Sequence, residues 1–286
     1  MSLNGGDALR LAVPNKGRLA EPALALLRDA GLEIEVSERS LTASARNLPL
    51  DLLFVRAEDV PEYVADGLVD VGLTGLDLVG ERAPQLNAIL KLGFGACSLV
   101  LAVPSAGPMS SVDDLAGCRI ATAFPILTAR FLADAGVEAQ IVTVRGAVEV
   151  TPQLGVSDAV VDLVASGSTL RLNGLRPIAT LLESQAVLVA RDGAPAGSLP
   201  LVEMLHSVLE ARGKEYVMMN APTSALDRIR SIIPGLSGPT VMPLADPAMI
   251  AVHSVVERSM LWQLIPDLKA AGARDILVLP IERVVR

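Results

Sequence analysis

The chain has 286 residues, of which 51% are hydrophobic, and a formal net charge of −8. That length exceeds a typical single domain and supplies apolar material for two or three cores, while the acidic balance excludes wholesale binding to a nucleic-acid backbone, which demands a basic footprint. No apolar run approaches the roughly 18 to 20 residues that span a bilayer, and the opening MSLNGGDALR lacks the charged and apolar regions of a secretory signal, so a cytoplasmic chain without nucleic-acid or membrane partners is expected.

Leu9 to Val13 reads as a short apolar strand. Pro14-Asn15-Lys16-Gly17-Arg18 turns it into a helix from Glu21 to Ala30, whose Ala23, Leu24, Leu26 and Leu27 form one side. Such an opening puts the turn at the strand's carboxyl end, where open α/β sheets bind ligands, so Lys16 and Arg18 are candidates for meeting a polyphosphate. The next strand is Leu50 to Val55. Arg56 stands at its carboxyl end, and a helix over Glu58 to Asp66 begins with acids that complement its dipole. Asp70 to Thr74, Gly75 and a further helix repeat the arrangement. DVGLTGLDLV, ending beyond Asp77, reads as one wall of a cleft that grips a small molecule.

Strands over Leu86 to Leu92 and Ser98 to Val103 lead to a second series: strand Cys118 to Thr122, helix Ile126 to Ala135, strand Ala139 to Val144. Cys97 and Cys118, the two cysteines, lie far apart among apolar or small neighbours and read as reduced packing residues. The chain returns through a strand over Gln185 to Ala190 and a helix over Leu199 to Arg212.

Within the second series, EVTPQLGVSDAVVDLVASGSTL (149–170) carries the most chemistry. Asp158 opens the apolar run Ala159 to Val164 and Asp162 lies inside it, four residues on and on the same face of a strand. The run breaks into Ser166-Gly167-Ser168-Thr169, where glycine permits a tight turn and amides and hydroxyls open a helix over Leu170 to Leu172. Carboxylates that accept from ribose hydroxyls, followed by a loop that cradles phosphate, suit a ribose 5-phosphate. The P-loop spacing with its lysine is absent, as is GxGxxG. An isolated SGST also fits an ordinary turn after a buried strand.

Beyond a Gly stop at Arg212-Gly213-Lys214, the pattern is strand Glu215 to Asn220, helix Ser224 to Ile233, strands Thr240 to Leu244 and Met249 to Val255, helix Ser259 to Ala271 and strand Asp275 to Leu279. The order βαββαβ is ferredoxin-like. Trp262 and the Met218-Met219 pair read as core or interface packing, and His206 and His253 as surface or packing histidines, not metal ligands.

Glu149, Gly155, Ser157, Asp162, Ser166, Gly167, Thr169 and Leu170 together resemble the signature of the ATP phosphoribosyltransferase family, which opens histidine biosynthesis. Val13 to Leu19 resembles that family's N-terminal motif, Asp70 to Asp77 its second, and Ile276 to Glu282 the end of its long form. Leu76 departs from it, many members carrying Arg there. The resemblance implies a two-lobed α/β catalytic region of the type II periplasmic-binding-protein kind, with lobe I at 1–93 and 184–212 and lobe II at 94–183. It implies a regulatory ACT-like ferredoxin domain at 213–286. It also implies transfer of the phosphoribosyl group from phosphoribosyl diphosphate to N1 of ATP, with Mg2+.

On this reading Asp158 and Asp162 take the ribose hydroxyls, Ser166, Gly167, Ser168 and Thr169 the 5-phosphate, and Glu149 the ribose or Mg2+. Lys16 and Arg56 meet the diphosphate or ATP phosphates; Arg18 and Asp77 belong to the ATP side. Histidine, the feedback inhibitor, is placed near Asn220 and Thr240 by the family's effector segment, and the homo-oligomer is expected to pass from dimers to a hexamer. A two-lobe solute-binding protein without catalysis is the alternative; a different phosphoribosyltransferase would lack the N-terminal and C-terminal motifs.

Overall fold

The computed structural model describes residues 8–35, 40–193, 195–233, 235 and 238–285. Contacts divide the chain into two compact units, Met1–Val202 and Glu203–Arg286. In chain order the first begins β1 (Leu9–Pro14), α1 (Ala20–Asp29), β2 (Thr42–Ser44), β3 (Leu50–Val55), α2 (Val60–Ala65), β4 (Val71–Gly75), α3 (Leu76–Arg82) and β5 (Asn87–Lys91). It continues with β6 (Cys97–Pro104), β7 (Arg119–Thr122), α4 (Pro125–Ala135), β8 (Gln140–Thr143), β9 (Ala159–Val164), α5 (Ser168–Leu172), β10 (Leu175–Ser184) and β11 (Ala186–Ala190). The division falls inside α6 (Leu199–Ala211), ahead of the boundary expected at 213.

Two sheets result, ordered β2-β3-β1-β4-β11-β5 and β10-β6-β9-β7-β8. Setting aside the short edge strand β2, they follow one plan. In the first, β1 is parallel to β3 and β4, and the returning strand β11 runs antiparallel between β4 and β5. In the second, β7 is parallel to β8 and β9, and the arriving strand β6 runs antiparallel between β9 and β10. The chain crosses between lobes twice, before β6 and after β10. Central strands are covered on both faces, which is why Leu11, Ala12 and Val13, or Ala159, Val160 and Val161, read as unbroken apolar runs at 0% exposure.

The repetition extends to side chains. Arg10 in β1 donates its backbone N–H to Asp70 Oδ2 at 2.8 Å, Nη2 to Oδ1 at 3.0 Å and Nη2 to the Gly67 carbonyl at 3.3 Å. Arg119 in β7 grips Asp158 through the same two donors, at 2.8 Å and 3.0 Å, and its Nη1 donates to the Gly155 carbonyl at 2.9 Å. Each arginine thus pins the loop leading into the third of its lobe's three parallel strands, β4 or β9.

Three elements differ from the sequence pattern, the first being the three-residue edge strand β2, which has no sequence signal. β10 was not predicted, because register shifts between Pro177 and Ala179 and between Thr180 and Leu182 break the period of two that marks a strand. The helix after the SGST turn starts at Ser168 rather than Leu170.

The second unit contains β12 (Lys214–Pro222), α7 (Leu226–Ile232), β13 (Thr240–Pro243), β14 (Met249–Glu257), α8 (Leu261–Ala270) and β15 (Arg274–Pro280). The sheet order β13-β14-β12-β15, all antiparallel, is that of a ferredoxin-like fold. Val217, Met219 and Ala221 of β12 face a core with Ile229, Leu264 and Leu268. Trp262, expected in the core or at an interface, lies outside the core at 90% exposure: Leu261, Leu264 and Leu268 present the apolar stripe of α8. No helix among the described residues is long and apolar enough to cross a membrane.

Candidate active site

In the first lobe the carboxyl ends of β1, β3 and β4 converge. Beyond β1 the Asn15 N–H donates to the Val55 carbonyl at 2.7 Å and the Ala20 N–H to the Gly17 carbonyl at 3.2 Å. Gly17 sits at φ +81°, so the basic turn closes against the end of β3. Lys16, Arg18, Arg56, Asp77 and Leu78 line an open hollow of about 310 Å³ to which the second lobe contributes Phe124 and Leu163. Lys16 makes no ion pair among the described residues, and Arg56 is held loosely, 3.2 Å from the exposed Glu58 carboxylate.

Asp77 is the fixed point of this hollow at 1% exposure. The Ser184 hydroxyl donates to its Oδ1 at 2.6 Å, its own N–H donates to Ser184 Oγ at 3.0 Å, and Arg18 Nη2 lies 3.5 Å from Oδ1. Gly75 makes room, since a Cβ there would fall 2.3 Å from Asp77 Oδ1. Leu76 packs on the apolar core of Val60, Val64 and Val79 and brings no charge to the hollow.

The second lobe has its own hollow, about 240 Å³, lined by Glu149, Asp162, Leu163, Ser166, Gly167 and Thr169 among others. Asp162 lies near the carboxyl end of β9, one Oδ accepting the Leu163 N–H at 2.8 Å. Its carboxyl is pushed above the ordinary range, by burial first and by the neighbouring Glu149 charge as well, against that N–H. Gly167 takes φ +71° to turn the chain into α5, and Ser166 Oγ lies 2.9 Å from Ser168 Oγ. Leu163 lines both hollows, so they adjoin at the residue after Asp162.

Asp158 does not join this group. It shares a strand face with Asp162 but precedes β9, about 13 Å away along an extended chain, where Arg119 grips it. That side-chain bond, then the Arg119 backbone N–H, hold its carboxyl below the usual range. Strand periodicity fixes a face but not an end, and ligand chemistry belongs to the carboxyl end.

In the second unit Asn220 and Thr240 project from the sheet face opposite the helices, alternating with core-facing Met219, Ala221 and Val241. β14 separates their strands, and Asn220 Nδ2 donates to Asp275 Oδ2 at 3.1 Å. The residues that the sequence pattern did not single out are Ser184, Phe124 and Glu81. The available signal for Glu81 was its spacing of four from Asp77 in the short helix LDLVGER, which puts two acids on one face.

Two lobes of one strand plan, crossed twice by the chain, with two hollows that adjoin at Leu163, make the first unit a type II periplasmic-binding-protein-like fold. Comparison with known proteins is specific. The family model described as ATP phosphoribosyltransferase (HisG) matches residues 56–211, and that of the HisG C-terminal domain matches 211–283. The ATP phosphoribosyltransferase of Natronomonas pharaonis is 48% identical over 282 residues, covering 97% of this chain and 100% of that protein. That of Gemmatimonas aurantiaca is 46% identical over 291 residues, covering 97% and 99%. A solved structure, the ATP phosphoribosyl transferase (HisG:HisZ) complex from Thermotoga maritima, matches with TM-score 0.60 and 29% identity over 69% of this chain and 96% of that chain. The chain belongs to the ATP phosphoribosyltransferase family, transferases of histidine biosynthesis.

Proposed function

We propose that the adenine N1 of ATP, held in the first-lobe hollow, attacks C1 of phosphoribosyl diphosphate held in the second, releasing pyrophosphate and forming phosphoribosyl-ATP. The observation that carries this reading is the shared wall at Leu163, which joins an acidic loop suited to a ribose phosphate to a basic turn suited to polyphosphate. The transition state resembles an oxocarbenium ion, so the protein needs no nucleophile of its own; it needs to position two large anions and neutralise the leaving diphosphate. Asp162 accepts from the ribose hydroxyls, and Ser166, Gly167, Ser168 and Thr169 hold the 5-phosphate. Lys16 and Arg56 face the diphosphate or ATP phosphates, and Arg18, fixed by Asp77, serves ATP. A non-catalytic solute-binding role is not favoured, since the family match runs through both units.

Mg2+ fits the donor set in one way. Among the described residues no group of three His, Cys, Asp or Glu could hold a metal, whereas Mg2+ keeps waters and is commonly bound by one or two carboxylates plus substrate phosphates. Glu149 would hold it, beside Asp162, and the ion supplies neutralisation of the departing diphosphate. Histidine binds near Asn220 and Thr240 on the open sheet face, in a homo-oligomer that passes from dimers to a hexamer in a cytoplasmic setting. Mixing ATP and phosphoribosyl diphosphate with the protein, with and without Mg2+, and following product absorbance tests the reading. Mg2+-dependent product formation is expected, and its absence with folded protein overturns the assignment.

A further inference from the structure

α3 bears two buried carboxylates one turn apart, Asp77 at 1% and Glu81 at 5% exposure. Both bond to the other lobe. Asp77 takes the hydroxyl of Ser184, the last residue of β10, while Glu81 reaches the start of α4. Its Oε1 accepts the Ile126 N–H at 3.0 Å and its Oε2 the Leu127 N–H at 2.9 Å. These are the second and third residues of a helix that opens on Pro125, and the preceding residue, Phe124, offers no side-chain cap. The donors normally satisfied by a local Ser, Thr or Asp are therefore satisfied from across the lobe interface by a carboxylate at the positive end of the helix dipole. Gly80 keeps the helices close, since a Cβ there would fall 3.0 Å from Leu127 Cδ2. Phe124, carried by the same helix start, is a wall of the ATP-side hollow.

We propose that Glu81 is a positioning residue for the transfer: by capping α4 from the first lobe it sets the register in which the two hollows, and hence adenine N1 and ribose C1, face each other. The proposal rests on the reading that each hollow holds one substrate. Glu81 touches neither. Its contribution appears in turnover, because small displacements of well-held reactants cost rate steeply, while the donor hollow lies wholly within the second lobe and keeps its affinity.

The test is Glu81→Gln in the full-length chain. The amide keeps one acceptor but turns a donor toward an N–H that already donates. With unfolding temperature and circular dichroism as fold checks, kcat should fall at least about tenfold while the calorimetric Kd for phosphoribosyl diphosphate stays within about twofold. Gly80→Val, which wedges α3 from Leu127 without touching the charge, should give the same split and decides the matter if Glu81→Gln does not fold. Unchanged kcat in folded variants, or donor affinity lost in step with kcat, overturns the proposal. An inactive wild-type protein overturns the enzymatic reading and the proposal with it; an active wild type with unaffected variants overturns the proposal alone.

Discussion

Asp158 and Asp162 show how far one residue type can diverge over a single strand. Burial raises the Asp162 carboxyl, so the folded chain retains its proton over a window above the ordinary carboxylate range in which the unfolded chain has released it. The stability tied to this group therefore falls as pH rises through that window. Asp162→Asn removes that cost. The variant should melt higher than wild type at neutral pH, with the gain gone below about pH 4, yet bind phosphoribosyl diphosphate more weakly by about 1.5 to 3 kcal/mol, one to two decades. Asp158 carries the opposite sign. Its carboxyl is held low by Arg119, so its stabilisation is present above the unfolded value and lost as pH falls through the folded one. Asp158→Asn should lower the melting temperature at neutral pH and leave donor binding as it was; a donor affinity reduced as much as in Asp162→Asn would return Asp158 to the site. Gly167→Val, at φ +71° beside the same hollow, should raise KM for phosphoribosyl diphosphate far more than KM for ATP. Equal effects would count against the loop as the phosphate holder.

At the scale of elements, the strand-to-turn junctions carry the site, and these were the parts legible in the sequence. Buried runs such as Leu9 to Val13 and Ala159 to Val164 have no alternation to misread, and each ends in a Gly-bearing turn that announces the helix after it. β10 was illegible because two bulges destroy its period, and β2 because three residues make no pattern. The remote cap was illegible for a different reason: Glu81 and Ile126 are 45 positions apart, and only the tertiary fold brings them together. The junction of β4 and α3 gives a direct test. Gly75→Ala would push a Cβ into the Asp77 carboxylate, loosening its bonds to Ser184 and Arg18. KM for ATP should rise several-fold while donor affinity holds, as steady-state kinetics and calorimetry can separate; equal loss for both substrates would mean a general defect of the lobe.

For the whole molecule, the ferredoxin-like sheet of the second unit presents Asn220 and Thr240 away from its own core, which is where the proposed histidine site is tested. Asn220→Ala or Thr240→Val should weaken histidine inhibition at least about tenfold with kcat unchanged, since a ligand acts only through its differential affinity for two states. A chain ended near Arg212 should likewise escape inhibition if it stays folded, although it removes the Val284 N–H that donates to the Ser207 carbonyl of α6 at 2.9 Å. Undiminished inhibition in either case would move the sensor elsewhere. The interleaved sheets also bear on how the protein is born. β11 is inserted between β4 and β5, so the first sheet has an empty slot from the time residue 91 leaves the ribosome until residue 190 does. At translation speeds of 5 to 20 residues per second that interval is on the order of 5 to 20 seconds. Throughout it β4 and β5 carry unpaired edges, a hazard for misassociation, whereas 97–184 contains every strand of the second sheet. Hydrogen exchange on ribosome-bound chains in which residue 184 but not residue 190 has emerged should accordingly find β7 and β9 amides protected while those of β4 still exchange, and the reverse would contradict it. The second lobe of the catalytic region is then the first to be finished, and the nascent first lobe is the part of the chain most in need of a chaperone.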